Sequence, residues 1–497
     1  MVPTPHTERI RRASRHIPHL ALWLTLLALL AGLAACAARV PGFPPGTLVE
    51  DVRRLPQDPA FYVAADTTLA KASALTPLPP ERQAALAQRY VTRLLSPWNQ
   101  NATSLKPEEA FWGVASYGNK QGYGENIQPR PKEWTQERVA DMNREAFPSL
   151  AAKAVTLRNT VLRVMPTHRP FFYDFREAGE GYPFDYFQNS AVWAGTPVFV
   201  SHASRDGAWV FVETAFASGW TPSEDVAWMD DAALARWRAG LGVTTKTDAS
   251  DSSGVSTATG AAILHDNVAL RDASGRFLAT VHVGAVLPLA SPTATSTDTD
   301  GLTVLFPVPD LAGKAALVTA RLPTNAATRL PLPLSAANVA SVASRLAGQS
   351  YGWGGMYEDR DCSALMRDLF APFGIWLPRN SGPQGKQGRV VDVSALPDAA
   401  KERAIVEGAV PFRTLLGMRG HIMLYLGTYQ GRAVIFHDIW GVRTLDRQKR
   451  EGRLVIGKAA ITTLTPGDEF EDVRRAKKSL LSRIQTMAIL GEESAGK

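Results

Sequence analysis

Between residues 80 and 95 apolar side chains recur every four positions, with Leu86, Tyr90 and Leu94 on one face. That spacing predicts a helix, and Pro97 ends it. A second helix is predicted over 135–147, stopped by Pro148. From about 155 to 230 the period falls to two. Residues 198–200, a turn at Arg205-Asp206-Gly207 and residues 209–212 read as a hairpin, and Ser218-Gly219-Trp220 follows. A second alternating region starts at Val268, turns at Ala273-Ser274-Gly275 and returns over 277–283. Polar, Ser/Thr-rich stretches at 244–260 and 291–300 read as linker and loop. Near Ser335 the helical period returns. Helices are predicted over 336–346 and 361–370, the latter burying Leu365, Met366, Leu369 and Phe370 and closed by Pro372 and Gly374. Two apolar strands come last, 421–427 (HIMLYLG) and 433–437 (AVIFH).

Helix followed by strands is an α+β order. With 497 residues the chain is too long for a single core. The pattern divides it into a helical clip at 80–154, two small SH3-like β-barrels at 155–240 and 261–326, a domain at 335–470 and a tail at 471–497. The stretch 474–487 reads as a packing helix of that tail. Trp193, Trp209, Trp220 and Trp228 read as barrel core before they read as sugar platforms.

Upstream of the clip the pattern changes character. Arg9, Arg11, Arg12 and Arg15 precede an apolar run over 20–35, and Cys36 follows directly. The run is short for a membrane span and suits a signal-peptide core. Leu33-Ala34-Ala35-Cys36 resembles a bacterial lipobox, so Cys36 is the expected lipidation site and residues 1–36 the signal peptide. The alternatives are an uncleaved anchor or a plain secretory signal. Ala37 after the cysteine favours, by resemblance to Gram-negative lipoproteins, the outer membrane over the inner. Residues 37–79, rich in Pro and Ala, read as a tether with little structure of its own. A net charge of +7 and a pI near 9.3 suit an acidic partner, yet no Lys/Arg run concentrates the charge.

The chain has two cysteines. With Cys36 assigned to lipid, Cys362 is the one free thiol of the mature protein. It sits in Asp361-Cys362-Ser363, at the predicted start of a helix whose N–H groups and dipole would favour a thiolate. His421 opens one strand and His437 ends the next, so a turn at 428–432 would bring both imidazoles together. A sulfur nucleophile, a base and a group that orients the base are what thiol hydrolysis needs. Two rival readings of the same residues are a buried apolar cysteine and a zinc site of Cys362, His421, His437 and a carboxylate, which lacks the short paired spacing of zinc motifs.

Tyr351-Gly352-Trp353-Gly354-Gly355, Asp361-Cys362-Ser363, Leu377-Pro378-Arg379-Asn380-Ser381 with Gln384, and Gly420-His421 together resemble the NlpC family of bacterial cell-wall cysteine peptidases. The resemblance is strong over roughly 335–465 and looser over 80–325. It implies a reduced papain-like fold with Cys362 as nucleophile, His421 as general base and His437 as its orienting partner. It also implies an oxyanion hole from the Cys362 N–H and the Tyr351 hydroxyl, and a substrate groove lined by Asp361, Ser363, Arg379, Asn380 and Ser381. Asn380 departs from the Asp frequent in relatives. The implied reaction is cleavage between γ-D-glutamate and a diamino acid in peptidoglycan stem peptides, with no metal, organic cofactor or nucleic acid. Some members require a free N-terminal L-alanine; Asp185 and Tyr186 of the first barrel are the candidates for holding its ammonium, with barrel packing as the alternative for Tyr186. His168, His202, His265 and His282 fall outside the set. Rival functions are a cross-link-opening murein endopeptidase or an amidase, a thiol-dependent acyltransferase, and a non-catalytic wall-binding lipoprotein.

Overall fold

A computed structural model describes residues 46–65, 77–243, 258–291 and 301–492. The lipobox and Cys36 lie outside the described residues. The proposed tether is described in part, and there it is not loose. Short helices Glu50–Arg54 and Pro59–Ala65 clasp the last domain. The Asp51 carboxylate accepts from the Thr463 N–H and hydroxyl at 2.8 Å each. Tyr62 is fully buried in that domain's core. Two side chains, Val52 and Tyr62, supply the apolar anchors that a Pro/Ala-rich composition hides.

Helix α1 (Pro80–Leu94) buries Ala87, Tyr90, Val91 and Leu94. The next predicted helix forms over Lys132–Asp141, displaced towards the N-terminus. The clip is no separate unit: Trp98 Nε1 donates to the Ala154 carbonyl at 2.8 Å, and Phe111 packs on Phe211 and Trp220 of the first barrel. That barrel comprises β1 (Ala152–Thr156), β2 (Thr160–Arg163), β3 (Gln188–Val192), β4 (Pro197–Ala203), β5 (Trp209–Glu213), β6 (Ser218–Pro222) and β7 (Val226–Trp228), in sheet order β3-β2-β6-β5-β4-β1-β7. Trp193, Trp209 and Trp220 are buried, which settles them as core. The second barrel runs from β8 (Ala261–Ile263) through β9 (Val268–Asp272), β10 (Phe277–Val281), β11 (Val286–Leu287), β12 (Thr303–Pro309) and β13 (Ala315–Arg321) to β14 (Ala327–Arg329). Its strands form two sheets, β10-β9-β13-β12 and β11-β8-β14.

The last domain packs α2 (Ala336–Leu346) and α3 (Cys362–Phe370) on an antiparallel sheet of six strands. These are β15 (Arg389–Asp392), β16 (Thr414–Met418), β17 (His421–Tyr429), β18 (Arg432–Leu445), β19 (Glu451–Thr463) and β20 (Ile484–Ile489), in the order β15-β20-β16-β17-β18-β19. Leu365, Met366, Leu369 and Phe370 of α3 meet Ile422, Leu424, Leu426 and Phe436 in the core. The expected helix over 474–487 is corrected here. Short turns of helix lead into β20, which pairs with β15 on one side and β16 on the other. The tail is therefore an inner strand of this domain, because ladder bonds on both edges outweigh a helical spacing of apolar residues.

One buried cation fixes the start of α3 against both barrels. Arg360, 1% exposed, holds Asp266 of the second barrel at 2.7 and 2.9 Å, Asp368 of α3 at 2.8 Å and the Val283 carbonyl at 3.0 Å. Trp193 of the first barrel donates to the same Asp368 at 2.9 Å. His282, outside the chemical set in the sequence, bonds Glu358 at 2.8 Å and so ties the second barrel to the loop before α3.

Candidate active site

Cys362 is the first residue of α3 and is 8% exposed. Asp361 is its N-cap: Oδ1 accepts from the N–H groups of Ser363 at 3.1 Å and Ala364 at 2.9 Å. A carboxylate thus occupies the helix end that the sequence reading assigned to a thiolate. Burial pushes the thiol up to about 12, Asp361 and Asp438 push the same way, and the Ile422 N–H and Arg379 pull it down. Burial and Asp361 thus oppose the expected stabilisation of a thiolate by the helix tip, whose dipole is already answered by Asp361. The Ile422 N–H bond to the sulfur also places Cys362 beside the residue that follows His421.

The strand ladder shapes this cleft. β17 and β18 pair from Tyr429↔Arg432 to Leu424↔Phe436, with no pairing at His421 or His437. At that end His421 Nε2 meets His437 Nδ1 at 2.9 Å, and His437 Nε2 meets the Thr462 hydroxyl of β19 at 3.0 Å. Thr462 Oγ1 also donates to the Thr463 carbonyl at 2.8 Å. A carbonyl only accepts and a hydroxyl has one proton, so the directions of the whole chain follow. Thr462 accepts from His437 Nε2–H; His437 Nδ1 accepts from His421 Nε2–H; the lone pair of His421 lies on Nδ1. Burial lowers both imidazoles, His421 to about 4, which keeps that lone pair unprotonated at neutral pH. The two ring nitrogens that face each other cannot both bind one zinc ion, which counts against the zinc reading.

Tyr351 precedes a tight turn. Gly354 and Gly355 have φ of 62° and 87°, and a Cβ on either would stand 2.4 or 2.5 Å from β3 of the first barrel. The turn is thereby seated on that barrel, with Gln188 Nε2 donating to the Gly354 carbonyl at 3.1 Å. Burial raises the Tyr351 hydroxyl well above its usual range, so it keeps the proton that an oxyanion donor needs.

Three residues expected to line the groove form a buried brace instead. Arg379 bonds Asp361 at 2.6 and 3.1 Å, the Ser363 hydroxyl at 3.0 Å and, through Nε, the Ser190 hydroxyl of the first barrel at 2.8 Å. Asp361, Ser363 and Arg379 are all buried, and each uses its polar atoms on the others. Gln384, fully buried, donates to the carbonyls of Ser363 and Pro378 at 2.8 Å each. Asn380 is exposed and Ser381 half-buried, so the loop keeps two polar groups open to a ligand.

In the first barrel, Asp185 is buried and holds Arg163 at 2.6 Å, while its other oxygen accepts from the N–H groups of Phe171 and Phe187 at 2.9 Å each. It is committed to the loop's own architecture. Tyr186 donates to Glu180 at 2.7 Å and its ring lies 5.9 Å from Trp353. Phe184 stands edge-on between Trp353 and Trp440, at 5.2 and 5.9 Å. The barrel therefore faces the Tyr351–Gly355 turn with Phe184 and Tyr186, and Glu180 is held by Tyr186. The sequence reading missed Glu180, Thr462 and Asp438. Only Asp438 carried a signal, an acid inside an apolar strand; it is fully buried with both oxygens unpartnered among the described residues, and burial raises it well above the carboxylate range.

Four family models match the chain. Residues 348–445 match the NlpC/P60 family, 22–147 the NLPC_P60 stabilising N-terminal domain, 170–222 an SH3 domain of SH3b1 type and 261–294 an SH3 domain of SH3b2 type. No curated protein matches. Among solved structures, a novel NlpC/P60 endopeptidase from Photobacterium damselae subsp. piscicida superposes with a TM-score of 0.74 at 23% identity, over 91% of this chain and 99% of that one. That agreement shows a shared fold. An NlpC/P60 family protein from Bacillus cereus ATCC 10987 aligns at 17% identity over 63% of this chain and 99% of its own, with a TM-score of 0.35. A buried cysteine at a helix start, an imidazole pair across two strands and barrels upstream agree with the family-model matches and the 0.74 superposition: the chain carries an NlpC/P60-type domain with SH3-like domains ahead of it.

Proposed function

We propose that the protein hydrolyses peptidoglycan stem peptides at the bond between γ-D-glutamate and the diamino acid, through an acyl-thioenzyme. The observation that carries this reading is the directed chain from the Thr463 carbonyl to His421, which leaves the His421 Nδ1 lone pair for the Cys362 proton. As the sulfur attacks the γ-carbonyl carbon, its proton passes to Nδ1. The resulting oxyanion is met by the Cys362 N–H, one of the unpaired donors of a helix start, and by the Tyr351 hydroxyl. The protonated His421 then gives the proton to the departing amine of the diamino acid, leaving a thioester. Water, deprotonated by His421, cleaves the thioester and restores the thiol.

Glu180 with Tyr186 supports a site for the substrate's free N-terminal ammonium. It takes over the role assigned to Asp185, whose carboxylate Arg163 already neutralises. Such a gate would direct the enzyme to released muropeptides in preference to intact wall. Lipid on Cys36 would hold it at the envelope facing the periplasm; loss of fatty-acid labelling in Cys36→Ser tests that part. The test of the reaction is mass analysis of products from L-alanyl-γ-D-glutamyl-diamino acid tripeptides with free and acetylated amines. Release of the diamino acid from the free form alone is expected, and equal cleavage of both forms refutes the gate. Release of the intact tripeptide from its muramoyl conjugate, or cleavage only of cross-linked wall, refutes the bond assignment in favour of an amidase or a cross-link-opening endopeptidase.

A further inference from the structure

In the proposed reaction His421 gives its proton to the departing amine, so the departing diamino acid lies on the His421 side of Cys362. A cation that the mechanism does not use stands there. Within the six-stranded sheet, Met418 of β16 pairs with His421 on one edge and with Ile484 of β20 on the other. Arg483 closes the helical turn Leu480–Arg483 just before Ile484, so its backbone starts about two strand spacings, or about 10 Å, from His421. Its side chain turns back towards the imidazole: Nη2 donates at 3.1 Å to the carbonyl of Arg419, in the Arg419-Gly420 turn that leads into His421. After burial, Arg483 is the charge that most lowers His421, ahead of the opposing Asp361. Arg443 of β18 is paired with Arg453 of β19, and both spend their charge on a single acid, Glu451, which Arg453 meets at 2.6 Å. Desolvation and then the charges of these two press on Arg483, which puts the three cations in one neighbourhood. Arg483 itself is exposed and has no carboxylate partner among the described residues.

We infer that Arg483 binds the carboxylate on the carbon that bears the departing nitrogen, so that the enzyme selects stem peptides ending at the diamino acid. The inference rests on the peptidase reading and adds to it the leaving-group side of the substrate. In a tripeptide that carbon carries a free carboxylate, whose own carbon is two bonds from the nitrogen that His421 protonates. A guanidinium tethered through one nitrogen beside the imidazole keeps further N–H donors for such an acid, and its planar fork matches a carboxylate. Three cations around one acid also leave the local potential positive, which favours an anionic leaving group. In a longer stem peptide the same carbon carries an uncharged amide, and the charge-assisted contact is lost.

The test is the ratio of kcat/KM for L-alanyl-γ-D-glutamyl-diamino acid over that for its C-terminal amide, measured on wild type, Arg483→Gln and Arg483→Lys. The two substrates differ at this carboxylate alone. Because both are read on one preparation, the ratio does not depend on how much of the protein is folded. Any change that Arg483 imposes on His421 acts on both substrates and cancels in the same way. Wild type should prefer the acid by about tenfold or more, the worth of a charge-assisted contact. Arg483→Gln should bring the ratio to within about threefold of one, Arg483→Lys should retain part of the preference, and added salt should narrow it in wild type. Equal cleavage of acid and amide by wild type, or an Arg483→Gln ratio as high as that of wild type, overturns this inference and leaves the peptidase reading standing. Failure of wild type to release the diamino acid or its amide from either substrate overturns the peptidase reading and this inference with it.

Discussion

Removing the Thr462 hydroxyl tests the proton directions that the catalytic pair depends on. In Thr462→Val, His437 Nε2–H loses its acceptor in a fully buried position. An unmet buried donor costs about 1–3 kcal/mol. The ring escapes that cost by moving its proton to Nδ1, but Nδ1 then opposes His421 Nε2–H across 2.9 Å. His421 must in turn carry its proton on Nδ1, where it can no longer accept from the thiol. The active tautomer is thus destabilised by about the same 1–3 kcal/mol, and kcat/KM on the tripeptide should fall about 5- to 150-fold. KM should change little, since Thr462 lies beyond both imidazoles from the sulfur. Thr462→Ser keeps the hydroxyl and should restore most of the rate, and the ¹⁵N chemical shifts of His437 should report the tautomer directly. A Thr462→Val enzyme within twofold of wild type, or a Thr462→Ser enzyme equally impaired, would refute the reasoning.

Other consequences follow from the same geometry. Arg379→Met strips a buried carboxylate of its cation, and breaking a buried pair from one side costs about 3–5 kcal/mol; the melting temperature should drop by many degrees, while an unchanged value would show that Asp361 does not need the guanidinium. Tyr351→Phe removes the second oxyanion donor, so kcat should fall up to about 10²–10³-fold with a small effect on KM; an unaltered kcat assigns that role elsewhere. The pH dependence of stability has a definite sign. His421 is lowered from 6.5 to about 4 and His437 is lowered too, so in that window the unfolded chain binds protons that the folded one refuses. Stability should therefore decline as pH falls from about 6.5 towards 4, and His437→Asn should flatten that slope in denaturant titrations. A slope of the opposite sign would mean that the imidazoles are charged when folded.

Much of the architecture was legible because it rests on local periodicity. The α3 helix, the two strands with their histidines and the first hairpin follow from spacing, and the residue types at Cys362, His421 and His437 mark them as a set. What failed was non-local. The segment 480–487 carries Leu480, Leu481, Ile484 and Met487 at helical intervals, yet from Ile484 onward β15 and β16, 60 or more residues earlier in the sequence, make it the strand β20. The roles of Asp361 and Arg379 changed for a similar reason: motif position placed them at the cleft, but only the fold brings Ser190 and Ser363 to consume their hydrogen-bonding groups. Asp185 stands next to Tyr186 in the sequence and Glu180 carries no such signal, whereas Arg163 on a separate strand decides which acid is spent. Thr462 could not be found at all, since one threonine among many has no pattern until β19 lies beside β18.

The most direct measurement is hydrolysis of the free-amine tripeptide by Cys362→Ala, with near-wild-type circular dichroism confirming its fold. Diamino acid release should vanish in this protein and persist in wild type until the thiol is alkylated. Undiminished release by the alanine protein would mean that the sulfur at the start of α3 is a packed core atom and that another group does the chemistry.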